Sequence, residues 1–360
     1  MEKRFHLKEH GTTVRTEIMA GITTFMAMAY ILMVNAGMFA ELGTVSYGAI
    51  YIATAISAVI GTVLIGLLAN LPLAQASGMG LNAFFVYTVC FTFGLSYANA
   101  LVLVLVDGIV FVLLTVTGLR KMIFDAIPAA VKTAISAGIG LFIAFIGLQN
   151  SGLCVDSATL VGIISFPENF HTAGICALLT LIGLFFTAVF YTRKMKGAIL
   201  YGILLTWILG MLCQITGLYV PTPDAGFYSL FPSWGMTDFS KLGLTFGQCF
   251  NVDFSAVGIV NFIVVIFSFL FVDIFDTLGT LIGVATKAKM LDKDGKLPGI
   301  KPALLADSIA TSAGAILGTS TTTTFVESAS GVAVGGNSTA RTYISGATFL
   351  LLPAATFSRT

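Results

Sequence analysis

The sequence predicts an all-α integral membrane protein organised as an inverted repeat, and three observations carry that prediction. Of its 360 residues, 57% are hydrophobic and 10% charged, with a mean hydropathy of +0.96, against about 25% charged residues in a soluble domain. Apolar runs long enough to cross about 30 Å of hydrocarbon recur along the chain. Two further segments at membrane depth, rich in glycine, serine or threonine, lie about 245 residues apart; with seven crossings between them they enter the membrane in opposite directions.

The plain apolar runs are Ile18 to Ala40, Ser46 to Ala69, Asn99 to Leu119, Thr133 to Leu148, Thr172 to Tyr191, Gly197 to Leu218, Ser255 to Thr286 and Pro302 to Gly318. Lys and Arg residues set their orientation. Clusters at Lys3 to Arg15, Arg120 to Lys132, Arg193 to Lys196 and Lys287 to Lys301 all fall on one side if Leu73 to Phe93 counts as one crossing, and that side is cytoplasmic by the positive-inside rule. The opposite loops hold only Lys241. The first run is long and lacks a small-residue cleavage site, so it reads as an uncleaved anchor after a cytoplasmic N-terminus, residues 1–17. A net charge of +1 leaves no polybasic tail and no case for nucleic acid.

The two irregular segments are Leu71 to Phe85, with one proline, polar residues and close glycines, and Gly318 to Gly331, with a Ser/Thr run before small residues. Each reads as an extended stretch followed by a half-helix. Such backbone is tolerated at membrane depth only inside protein or along a wet cavity, because unpaired amides in lipid cost several kcal/mol each. Gly138 and Gly140 read instead as close-packing positions between helices. The loop Val220 to Asp253, with its prolines and aromatics, suits an outer interfacial segment, and Lys287 to Lys301 a solvated turn. The five cysteines show no paired spacing; a Cys154–Cys249 disulfide is open, since both fall in outer loops. The three histidines are scattered, and neither a metal nor a cofactor is implied.

Chemistry concentrates in acids. Asp273 and Asp276 interrupt the apolar run Asn261 to Ala285, and Glu327 sits in the second irregular segment. Each central carboxylate opposes insertion by roughly 2.5 to 3.5 kcal/mol, about 8 to 10 kcal/mol together, unless it faces a polar cavity. Asp273 and Asp276, three residues apart, share a helix face, and two like charges that close do not both ionise cheaply, which makes the pair a candidate proton carrier. Asp107 and Asp307, lone acids in their spans, read as structural hydrogen-bonding groups and stay outside the candidate site.

Four strings, Gly21 to Tyr30, Ser77 to Phe85, Asp273 to Thr280 and Glu327 to Val332, resemble the AzgA-like purine permeases of the nucleobase:cation symporter-2 family, in order from about residue 4 to Gly336. The resemblance implies a UraA-like fold of two inverted seven-span repeats, split into core and gate, with short strands in spans three and ten. It also implies proton symport of hypoxanthine, guanine or adenine across the cell membrane. Related folds imply a homodimer contacting through gate helices. Residue by residue, the family's binding positions match Asn82, Asp273 and Glu327, and the acid associated with transport matches Asp276. An oxopurine presents ring N–H donors and carbonyl or ring-nitrogen acceptors, so carboxylates accept from it while an amide both donates and accepts. Glu327 would also lie in a first helical turn, where the dipole favours its anion.

On this reading residues 18–218 form the first repeat, 219–254 an extracellular loop, 255–357 a partial second repeat and 358–360 a tail. After Gly336 the sequence departs from the Arg-Thr-Gly-Leu-Thr type stretch of the family; span eleven is short, Tyr343 to Phe357 with Pro353, and spans twelve to fourteen are absent. A non-transporting fragment therefore stands as an alternative, as does an anion transporter of the same fold, which three carboxylates without a nearby base disfavour. An intramembrane aspartyl protease needs acids on facing helices and a Gly-x-Gly-Asp string that this chain lacks.

Overall fold

The computed structural model describes residues 7–8, 11–119, 122, 126, 128–157, 160–195, 198–222, 227–231, 234–235, 238–251, 259–287, 290–291, 297–336, 338–351 and 356–357. Among these, six helices are long and apolar enough to cross a membrane. The chain divides into two compact units, residues 1–137 with 236–355, and residues 138–235 with 356–360.

In the first unit, α1 (Val14–Met28) and α2 (Tyr30–Ala40) make one span interrupted only at Ala29. The span starts before the expected Ile18 because Thr13 caps it, its hydroxyl accepting from the Thr16 amide at 3.2 Å. A second span, α3, runs Tyr47–Leu68. There follow β1 (Gln75–Ser77), the five-residue α4 (Met79–Ala83) and a wider π-type turn over Phe84–Thr92. Such wide turns are uncommon and gather at functional sites. Next is α5 (Tyr97–Val116), capped by Ser96, and then α6 (Ala129–Asn150), which crosses the boundary between the units.

The second unit holds the hairpin β2 (Cys154–Ser157) with β3 (Leu160–Ile163), the helices α7 (Ile175–Thr192) and α8 (Ala198–Ile215), and β4 (Trp234–Gly235). The helices pack through glycines, but not the expected ones. At Gly138 and Gly140 an added Cβ would meet nothing within 4 Å, whereas at Gly183 and Gly202 it would collide with Thr206 and Thr187 of the facing helix.

The first unit resumes with two short 3₁₀ turns, Phe239–Leu244 and Gln248–Phe250, within the loop read as an outer interfacial segment. Then come α9 (Ile259–Lys287), α10 (Ile300–Leu317), β5 (Thr322–Thr324), α11 (Ser328–Val334) and α12 (Ala340–Leu351). Of the expected solvated turn at 287–301, residues 288–289 and 292–296 lie outside the described residues. Both irregular segments do contain a strand and then a helix, and the two strands pair with each other: β1 and β5 are antiparallel, Gln75 opposite Thr324 and Ser77 opposite Thr322.

Polar side chains seal this pair inside apolar helices. Thr319 to Thr324 are at most 1% exposed. Thr319 accepts from Asn35 Nδ2 at 2.9 Å and meets Ser77 Oγ at 2.8 Å; Thr311 Oγ1 donates to the Thr322 carbonyl at 3.1 Å. A Ser/Thr run that would be costly in lipid is thus tolerated because neighbouring helices supply partners. Two apolar clusters flank it, one around Phe39, Phe85 and Phe269, the other around Phe111, Leu278 and Leu304.

The segment after Gly336, read from the sequence as a departure from the family's pattern, is packed inside the first unit. α12 lies against α1 and α3; Ser345 Oγ donates to the Gly21 carbonyl at 2.9 Å, Thr342 Oγ1 to the Leu71 carbonyl at 3.1 Å, and the Ser338 amide to Glu17 Oε1 at 3.2 Å. Its 12 residues span about 18 Å at the helical rise. A two-residue strand, β6 (Thr356–Phe357), pairs with β4. All five cysteines are free thiols, so the Cys154–Cys249 pairing is not formed.

Candidate functional site

The site is assembled from five elements of the first unit. Antiparallel pairing of β1 with β5 places the half-helices α4 and α11 at opposite ends of a three-residue ladder, because each helix follows its own strand. Cross-connections lock the ladder: the Gly78 amide donates to the Thr321 carbonyl at 3.0 Å, the Phe325 amide to the Ala74 carbonyl at 3.0 Å, and the Ala74 amide to Ser328 Oγ at 3.0 Å. α9 packs against α4, α11 and β5 together. Residues from three distant parts of the chain therefore meet without any long loop between them.

Asn82 lies in α4 and is fully buried, yet neither Nδ2 nor Oδ1 has a hydrogen-bond partner among the described residues. Leaving a buried polar group without a hydrogen bond costs about 1–3 kcal/mol, so an amide in this condition calls for a physical explanation.

Glu327 immediately precedes α11 and is half-buried. Its Oε1 accepts from the Tyr30 hydroxyl at 2.8 Å, a contact across 297 residues. Nothing in the sequence singled out Tyr30 beyond its place in the first shared string; an aromatic at a half-buried helix position more often packs than bonds.

The acids of α9 diverge. Asp273 is fully buried: its Oδ1 accepts from Thr277 Oγ1 at 3.1 Å, and the same hydroxyl lies 3.0 Å from Asp307 Oδ2 and 3.3 Å from Thr323 Oγ1. Gln75 Nε2 reaches Asp307 Oδ1 at 3.4 Å and Thr324 Oγ1 at 3.3 Å. Asp307 therefore belongs to one network with Asp273, β1 and β5, although as a lone acid it had been set aside. Asp276, one helical turn along, is half-buried and borders the strand pair; a Cβ at Gly78 would sit 3.3 Å from its Oδ2 and 2.7 Å from Thr323 Cγ2. Glycine at position 78 is what allows β1 to turn into α4 beside that carboxylate. Asp107 is fully buried in α5.

Among the described residues the geometry thus brings together the Asn82 amide, two half-buried carboxylates and a fully buried carboxyl network beside the paired strands of the two broken spans. No nucleophile–base pair is formed by these groups, and among the described residues no cluster of metal-ligating side chains occurs. Hydrogen-bond recognition and carriage of charge are what such a set can perform.

The sequence profile of the Permease family matches residues 15–357, so the segment after Gly336 lies within the match as far as Phe357. The guanine/hypoxanthine permease PbuG of Bacillus subtilis is 43% identical over 360 residues, covering 98% of this chain and 77% of that protein. The adenine permease AdeP of Escherichia coli is 36% identical over 356 residues, covering 98% of this chain and 74% of its own length. Among solved structures, the transmembrane domain of a cyanobacterium bicarbonate transporter, BicA, matches with a TM-score of 0.59 over 94% of this chain and 82% of that chain; at 13% identity this is a likeness of fold. With a family match across nearly the whole sequence and relatives this similar, the chain belongs to the Permease family: it is a multi-pass membrane transporter, not an enzyme.

Proposed function

We propose that the chain imports purine nucleobases together with protons across the cell membrane, with its N-terminus cytoplasmic. Asn82, Asp273 and Glu327 contact the base, and Asp276 carries the coupling proton. The observation that carries the reading is Asn82, whose buried amide donor and acceptor both lack partners among the described residues. A purine edge with an acceptor beside a donor satisfies both, and ring N–H groups match the carboxylates. Two relatives agree with this reading, one a guanine/hypoxanthine permease and the other an adenine permease.

Uptake of radiolabelled hypoxanthine, guanine and adenine by cells lacking their own purine permeases tests the proposal. Wild-type protein is expected to accumulate at least one of them, and Asn82→Ala, Glu327→Gln and Asp273→Asn to weaken its apparent affinity. Unchanged affinity in a variant removes that residue from the site. Uptake indifferent to a proton uncoupler rules out symport.

A further inference from the structure

We propose that Tyr30 is the positioning residue of this carrier site, holding the Glu327 carboxylate in the orientation that receives a ligand N–H. The inference rests on the reading of Glu327 as a contact to the base. Tyr30 opens α2 directly after the interruption at Ala29, and its hydroxyl donates to Glu327 Oε1 at 2.8 Å. Both residues are half-buried, whereas Asp273 is fully buried.

The local chain leaves Glu327 loosely determined. It stands between a three-residue strand and a seven-residue helix, and its side chain turns about three bonds. Its backbone carbonyl is occupied by the Ser330 amide at 2.9 Å and the Ser330 hydroxyl at 2.6 Å, which fixes the main chain but not the carboxylate. The phenol supplies the missing restraint from another span. Its ring packs against the large apolar cluster, so the hydroxyl arrives from a rigid base. One hydroxyl proton serves one oxygen: Oε1 is committed to Tyr30, and Oε2 is presented to the ligand. A phenol does this without neutralising the carboxylate, as a Lys or Arg partner would.

Uptake kinetics of Tyr30→Phe, which keeps the ring and removes the hydroxyl, test the proposal in the cells described above. Loss of one hydrogen bond to a charged group predicts a KM raised about tenfold, with Vmax and membrane level near wild type. Glu327→Asp withdraws the carboxylate by about 1.5 Å, one carbon–carbon bond, so in that background adding Tyr30→Phe should leave KM where Glu327→Asp alone puts it. An unchanged KM for Tyr30→Phe overturns the proposal, as does a tenfold rise that persists in the Glu327→Asp background, since Tyr30 would then act independently of Glu327. If Tyr30→Phe fails to reach the membrane, 4-fluorophenylalanine introduced at position 30, which keeps the ring and its length but has no proton to donate, takes its place, and an unchanged KM there is equally fatal. Absence of purine uptake by the wild type removes the underlying reading and the proposal together, whereas normal wild-type uptake with an indifferent Tyr30→Phe removes the proposal alone.

Discussion

Thr277 and Asp307 meet across two helices, the hydroxyl of the first lying 3.0 Å from Oδ2 of the second, and that same hydroxyl lies 3.1 Å from Asp273 Oδ1. A hydroxyl has a single proton, so it donates to one carboxyl oxygen at a time; the other contact is a hydrogen bond only when that carboxyl carries a proton itself. Thr277→Val keeps the shape and removes the bridge. The expected result is a loss of about 1–3 kcal/mol, the usual cost of leaving a buried polar partner unsatisfied, read as a lower melting temperature in detergent, with uptake reduced as well. A Thr277→Val protein as stable and active as wild type would show the bridge to be dispensable.

Space beside Asp276 is equally tight. Gly78→Val should collide with Thr323 and press on the Asp276 carboxylate, lowering uptake by an order of magnitude or more without removing a single polar group. Gly283→Ala, on α9 with nothing within 4 Å of the added methyl, serves as the control and is expected to transport normally.

Asp276→Asn separates carriage from coupling. If Asp276 moves the proton, this variant should still exchange labelled for unlabelled purine across vesicles at equal concentrations on both sides. It should no longer accumulate substrate when the outside is made acidic. The sign is set by symport: protons entering down their gradient draw the base in, so wild-type uptake rises as external pH falls. Accumulation retained by Asp276→Asn under an inward proton gradient would assign coupling elsewhere.

Helices α7 and α8 are joined by a reciprocal device. Thr187 Oγ1 donates to the Gly183 carbonyl at 2.7 Å on its own helix and crowds Gly202 across the interface; Thr206 Oγ1 donates to the Gly202 carbonyl at 2.8 Å and crowds Gly183. Gly183→Ala is therefore expected to destabilise the pair by about 1–3 kcal/mol, the common cost of overpacking. Adding Thr206→Ala, which empties the space, should restore most of it. Thermal denaturation followed by size-exclusion profile in detergent reads both steps.

Much of this architecture was legible in the sequence, and for identifiable reasons. The strands of the broken spans announced themselves because proline, glycine and a β-branched run are poor material for a membrane helix, and the odd count of crossings between them implied opposed entry. Asp273, Asp276 and Glu327 stood out because charge inside an apolar run is expensive. What escaped was anything whose chemistry looks ordinary until its neighbours are known. Threonine in a membrane helix usually bonds the carbonyl one turn back, as Thr280 does to Asp276 and Thr286 to Ile282. Thr277 instead turns to two carboxyl groups, and no local signal distinguishes it. Asp307 shares that difficulty, because its partners come from β1 and α9 rather than its own helix. Gly138 and Gly140 were misread in the converse way: glycine permits close approach without requiring it, and only the facing side chain decides.

The pairing of β1 with β5 also constrains how the protein is made. At about 5–20 residues per second, the roughly 245 residues between the strands occupy a ribosome for about 12 to 50 seconds. Throughout that interval the backbone of Gln75 to Ser77 has no ladder to join. Span three must therefore wait at the insertion machinery, or in a provisional helical form, until span ten emerges. Assembly of this strand pair, and of the buried polar groups packed on it, is consequently a late event in synthesis.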